Sequence, residues 1–100
     1  MTDEAFAEFY QPVTHRFDEL RFVKSGERRR LVRRMVTEVE ADLYRGERNP
    51  EVLEQTARQV AESEFRSIIT IITLAVLTEL IRYIIRKLLE RWEKIQGPMQ

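Results

Sequence analysis

Ser67-Ile-Ile-Thr-Ile-Ile-Thr-Leu-Ala-Val-Leu-Thr78 is a run of twelve uncharged residues in a chain of 100 residues, of which 34% are charged. The run lies between two helix signals. Asn49-Pro50-Glu51 combines an N-cap residue, a proline at the first helical position and an acid in the first turn. Gly97-Pro98 is typical of a helix end. The pattern predicts one region, 49–97, made of a single long helix at about 50–96 with an apolar segment at 67–89.

This predicted helix is too long for the rest of the chain to cover. At 1.5 Å per residue, about 45 residues span roughly 68 Å, whereas a second helix of about 20 residues spans only ~30 Å. A break near Ser63 would let the helix fold back, but no glycine or proline is present there. We therefore predict an all-α fold, a helical hairpin or three-helix unit, that self-associates through the long helix.

The preceding residues, 1–48, predict an N-terminal helical region. One helix covers about 3–23, with a kink at Pro12, and a second covers about 26–45, begins at Ser25-Gly26 and ends at Gly46. Apolar residues recur at helical spacing in the first helix at Phe6, Phe9, Tyr10, Val13, Phe17 and Leu20. The β-branched run at 68–73 would also suit a strand, but no other segment offers it a partner.

The long helix carries an apolar seam. Most of its members follow the alternating four- and three-residue spacing of coiled coils, and Trp92 lies on a neighbouring stripe. The predicted self-association residues are Leu74, Leu77, Ile81, Ile84, Leu88, Trp92 and Ile95. They favour a non-catalytic structural or assembly subunit, a homo-oligomer or a component of a larger particle such as a virion.

Two alternatives remain open for the same segment. Residues 65–85 have the length of a membrane span, and the basic carboxyl flank would then be cytoplasmic. Glu79 and Arg82 count against insertion, since each charge offsets much of the apolar gain. The other alternative is a compact bundle whose third helix breaks and buries its own apolar stretch.

A basic run marks the start of the second helix. Arg29, Arg30, Arg33 and Arg34 are expected on the side opposite its apolar residues. They indicate docking to an acidic protein or a lipid surface. Nucleic acid is disfavoured, because the 17 basic and 17 acidic residues cancel and no aromatic residues interleave with the arginines. The alternative is a solvated face, or pairing with the acids Glu51, Glu54, Glu62 and Glu64.

No residue pattern indicates catalysis. The chain has no cysteine, which excludes thiolate chemistry and common zinc sites. His15 is the single histidine and has the setting of a surface residue, and the four glutamates lack the histidine spacing of a carboxylate metal centre. We expect no cofactor and no metal. The acidic amino terminus is unlike a signal peptide, which favours a cytoplasmic location or one within an assembly.

Overall fold

The structure, a computed structural model, describes residues 1–16 and 23–96, with the side chains of 95 and 96 outside the description. All regular structure in these residues is helical, which confirms the predicted all-α class. The helices are α1 (Asp3–Thr14), α2 (Ser25–Tyr44), α3 (Pro50–Glu64), α4 (Arg66–Ile69) and α5 (Leu74–Gln96).

The prediction of one helix over 50–96 is wrong. The chain leaves α3 at Phe65, which has φ −133° and ψ 40°, makes the short α4, and passes through residues 70–73 into α5. The molecule is only 45 Å along its longest axis. An unbroken helix of that range would need roughly 68 Å, so the second half folds back on the first.

Burial and side-chain capping explain a break that contains neither glycine nor proline. Phe65 and Ile68 are buried in the core on either side of the turn into α4. The hydroxyl of Thr73 accepts a hydrogen bond from the backbone N–H of Val76 at 3.2 Å, as an N-cap residue does for a helix that begins at Leu74. Folding α5 back buries a long apolar stripe, which offsets the helical hydrogen bonds lost at the break.

Helices α2 and α3 form an antiparallel pair. Arg34, in the first half of α2, binds Glu64 at the end of α3, and Asp42, near the end of α2, accepts a hydrogen bond from Thr56. The connection between them is the short segment 45–49. Gly46 ends α2 with φ +98°, a conformation that favours glycine.

Helix α5 runs antiparallel to α3. Arg58 donates to the hydroxyl of Thr78 at 3.1 Å, and one turn earlier in α3 the carboxylate of Glu54 lies 3.5 Å from Arg82, one turn later in α5. The α2–α3–α5 order therefore alternates down, up and down, as in an antiparallel helical bundle.

Helix α1 completes the bundle and is antiparallel to α2. The amino group of Met1 lies 3.0 Å from the carboxylate of Glu40, in the second half of α2, whereas Tyr10 lies beneath Arg29 in the first half. α1 ends at Thr14, short of the predicted end at 23. Residues 17–22, with Phe17 and Leu20, lie outside the described part, as does Gly97-Pro98.

One core joins the helices. Its largest fully buried side chains come from α1, α2, α3 and α5, and these are Phe6, Val13, Leu31, Met35, Leu43, Leu53, Ile81, Ile84, Ile85 and Leu88. Together with the other buried residues of each helix, they recur at steps of one, three and four residues, which keep them on one side of the helix. The chain therefore folds as amphipathic helices around one centre.

Local signals placed several helix ends correctly. Helix α2 spans Ser25–Tyr44, within a residue of the predicted 26–45. The side chain of Asn49 accepts a hydrogen bond from the backbone N–H of Glu51 at 3.0 Å, so the predicted cap of α3 is confirmed. The predicted cap at Ser25 is wrong, because Lys24 occupies the N-cap position and offers no side-chain acceptor.

Candidate interaction surfaces

Most of the predicted self-association seam lies inside the bundle. The side chains buried by the chain's own helices are Leu77, Ile81, Ile84, Leu88 and Trp92. Leu74 is 69% exposed, and the side chain of Ile95 is outside the described part. In this conformation, five of the seven seam residues contact α5's neighbours in the same copy, so they do not face a second copy.

An exposed aliphatic surface lies where α4 turns into α5. We name it the apolar shoulder, and it consists of Ile69, Ile71, Ile72, Leu74, Ala75 and Val76. Ile71 is 57% exposed and Leu74 69%, Ala75 is also exposed, and the other three are half-buried. Adjacent exposed aliphatic side chains of this kind mark interaction sites more often than isolated ones do.

The sequence showed the residues of the shoulder but not their exposure. All six belong to the uncharged run at 67–78, which the continuous-helix interpretation placed on several sides of one rod. The break changes this arrangement, because α4 turns Ile68 inward and α5 turns Leu77 inward. The residues between them are left at the end of the bundle.

The four predicted docking arginines do not share one free surface. Arg34 forms two parallel hydrogen bonds to Glu64, at 2.9 and 3.0 Å, and lies 3.4 Å from Glu38. This pairing with the acids of the third helical segment is the alternative that the sequence left open. The hydrogen bonds from Arg34 hold the pKa of the Glu64 carboxyl below its usual value, and Glu64 raises the pKa of Arg34 in return.

Arg29, Arg30 and Arg33 line a groove of about 270 Å³ between α1 and α2, together with Asp3, Phe6 and Gly26. We name this the arginine groove. The guanidinium of Arg33 donates to the Met1 carbonyl at 2.9 Å and to Asp3 at 3.3 Å. Asp3 neutralises part of the charge of Arg33, but the side chains that line the groove are still predominantly basic.

The other two arginines of the groove are more exposed. Arg30 pairs with Glu27 at 3.0 Å on the same helix, and its guanidinium lies over the Phe65 ring at 5.5 Å. Arg29 lies over the rings of Phe6 and Tyr10, at 5.1 and 5.4 Å from their centres. Such cation–π contacts hold the guanidinium in place without neutralising it. Burial raises the pKa of the Tyr10 hydroxyl, so the ring below Arg29 stays neutral.

The glutamates of the third helical segment and the single histidine were not predicted to form a site. Glu54 contacts Arg82 and Glu64 contacts Arg34, while Glu51, Glu62 and His15 are exposed. Across residues 1–16 and 23–96, no three histidine, aspartate or glutamate side chains are grouped as a metal site requires. Within that same part of the chain, no helix combines the length and the apolar character needed to cross a membrane.

The fold and its surfaces define an all-α helical bundle with an apolar shoulder at one end and an arginine groove between its first two helices. Comparison with models of known protein families, with curated proteins and with solved structures finds no match.

Proposed function

We propose that the protein is a non-catalytic assembly subunit that self-associates through the apolar shoulder. The exposure of Ile71 and Leu74 at the end of the bundle carries this proposal. This solvent-exposed aliphatic pair is flanked by Ile69, Ile72 and Val76, and the free energy falls when a second apolar surface covers it. The kind of assembly, virion or other particle, and its cytoplasmic location stay predictions.

A symmetric dimer uses such a surface twice. In a two-fold interface both copies contribute the same patch, so the free energy of burying each side chain is gained once in each copy. Full burial of one Leu or Ile side chain is worth about 1.5–3 kcal/mol. Ile71 and Leu74 together therefore supply a large part of the free energy that a micromolar dimer needs, about 8 kcal/mol beyond the cost of association.

We predict that the double variant Ile71→Gln, Leu74→Gln raises the dimer dissociation constant at least about tenfold, because two exposed apolar side chains per copy lose their contact. Light scattering on a sizing column, over a range of protein concentrations, measures this. Val52→Gln is the matched control, since Val52 is a 40% exposed aliphatic residue on α3, outside the shoulder. A chain that stays monomeric at every concentration, or equal association by both variants, would contradict the proposal.

We further propose that the arginine groove binds carboxylates of an acidic partner protein. Arg29 supports this, since its guanidinium is exposed and held over two rings. Arg30 and the open first turn of α2 at Gly26 lie along the same groove. Guanidinium groups bind carboxylates through two parallel hydrogen bonds. Arg34 is not included in this proposal, because its guanidinium already forms an ion pair with Glu64.

The double variant Arg29→Gln, Arg30→Gln is expected to weaken binding of poly-L-glutamate, used as an acidic probe, by about tenfold at low salt. Arg86→Gln with Lys94→Gln removes the same charge from α5 and should leave binding nearly unchanged. Titration calorimetry measures both. Equal loss in the two variants would show a general charge effect and refute the groove. Binding to vesicles of anionic phospholipid, with none to poly-L-glutamate, would replace the protein partner by a lipid surface.

A further inference from the structure

The break between α3 and α5 is not imposed by the covalent chain. Residues 51–96 contain neither glycine nor proline, and the helix signals at Asn49 and Pro50 suit a helix of any length. Across the break, the amides of Ile68 and Ile71 donate to carbonyls three residues earlier, at 2.9 and 3.0 Å. The amides of Ile69, Thr70 and Ile72 keep the four-residue spacing of an α-helix, at 3.1, 3.1 and 3.3 Å. We call the bundle described above, in which α5 packs on its own chain, the closed bundle. It interrupts a segment that has no covalent obstacle to forming one helix.

The apolar shoulder is continuous with the interface between α3 and α5. Ile68, Ile71, Leu74 and Leu77 recur every three residues, so in a straight helix each would lie beside the next, about 60° further round the axis. In the closed bundle the outer two, Ile68 and Leu77, are buried and the inner two are exposed. The residues left uncovered are thus those that would join the buried stripe of α3 to that of α5.

From this continuity we infer that the protein dimerises by exchanging α5 between two copies. The segment 65–73 straightens, α3 and α5 become one helix, and each α5 packs on α1, α2 and α3 of the second copy. The two straightened segments then cross at the two-fold axis and cover each other's Ile71 and Leu74. This inference rests on the proposed self-association, and the partner that covers the apolar shoulder is a second copy of this chain.

Exchange retains the contacts between α3 and α5 and adds new ones at the shoulder. The Arg58–Thr78 hydrogen bond and the Glu54–Arg82 ion pair would form between copies instead of within one. The α-helical hydrogen bonds that are missing across 65–73 are completed, and the shoulder is buried. The connection between α4 and α5 is only the four residues 70–73, and short hinge segments favour exchange over closure within one copy.

The absence of cysteine makes a cross-linking test direct. Arg58→Cys with Thr78→Cys, treated with a short bis-maleimide, joins α3 to the α5 packed on it. In a closed copy the link lies within one chain, and in an exchanged dimer it joins two. Arg58→Cys with Glu62→Cys is the matched control, because both residues lie on α3 and the link stays within one chain in either state. Denaturing gels separate the products.

A second variant tests the straight helix without relying on cross-linking. Ala75 lies in the first turn of α5, where proline is tolerated, but in a continuous helix proline at 75 would clash with the carbonyl of Ile71. We expect Ala75→Pro to leave the closed monomer folded and to weaken the dimer roughly a hundredfold or more, since both copies carry the clash.

The outcomes separate this inference from the proposed function. A dimer in which the link between positions 58 and 78 joins two chains, and which Ala75→Pro dissociates, supports the exchange. A dimer whose link stays within one chain, or which tolerates Ala75→Pro, overturns the exchange and leaves self-association standing. A chain that never dimerises overturns both.

Discussion

Ile81→Ala is expected to lower the free energy of unfolding by about 2–5 kcal/mol, the cost of removing a buried aliphatic side chain and leaving a cavity. Ile81 is fully buried in the core formed by α5 and its neighbours. Natural domains are stable by only about 5–15 kcal/mol, so the variant should lose a large part of its stability. Urea unfolding followed by circular dichroism at low protein concentration measures the change.

Leu74→Ala is the matched control for Ile81→Ala. Both residues belong to the predicted self-association seam and to α5, but Leu74 is 69% exposed. An exposed substitution of this kind usually changes stability by less than about 0.5 kcal/mol. If Ile81 instead served only as a contact between copies, its variant would be a folded monomer as stable as the control. Equal unfolding free energies would therefore contradict the closed bundle.

Phe65→Ala is expected to lower the free energy of unfolding by about 3–5 kcal/mol, the usual range for a buried Phe. Phe65 lies at the break between α3 and α4, its ring is buried, and the guanidinium of Arg30 lies over it at 5.5 Å. In a domain of this size, each kcal/mol lowers the melting temperature by about 4–8 °C. Thermal unfolding should thus shift by at least about 12 °C.

The neighbouring Arg66→Ala provides the comparison for Phe65→Ala. Arg66 begins α4 and is exposed, so its truncation should shift the melting temperature by no more than a few degrees. If the Phe65→Ala variant had the same melting temperature as the Arg66→Ala variant, the Phe65 ring would not stabilise the break. Together with the Ile81 series, this comparison tests whether α5 folds back onto its own chain.

The parts of the fold that were predicted correctly depend on neighbouring residues. Helix α2 is defined by the spacing of its apolar residues and by Gly46. The start of α3 is defined by Asn49 and Pro50. Each of these signals acts within one or two helical turns, so a local pattern is sufficient to recognise it.

The parts that the sequence left open or missed depend on residues far apart in the chain. Arg34 was expected on a shared basic face, with pairing to the glutamates of the third helix as the alternative, and Glu64, thirty residues later, binds it. Arg33 was expected there too, and it donates to Asp3 and to the Met1 carbonyl. Which acid reaches which arginine is decided by how the helices pack, and a single sequence does not display that packing.

The sequence by itself determined the helical class, the bounds of α2, the start of α3 and the presence of an uncharged run at 67–78. Tertiary structure alone decided that the helix breaks at Phe65, just before this run, and again at 70–73 within it. It also decided that Ile81 and Leu88 face inward and that Ile71 and Leu74 stay exposed. The physical reason is one of scale. Capping and periodicity act within a turn or two of helix, whereas the break follows from the apolar area that α5 buries against helices formed by distant residues.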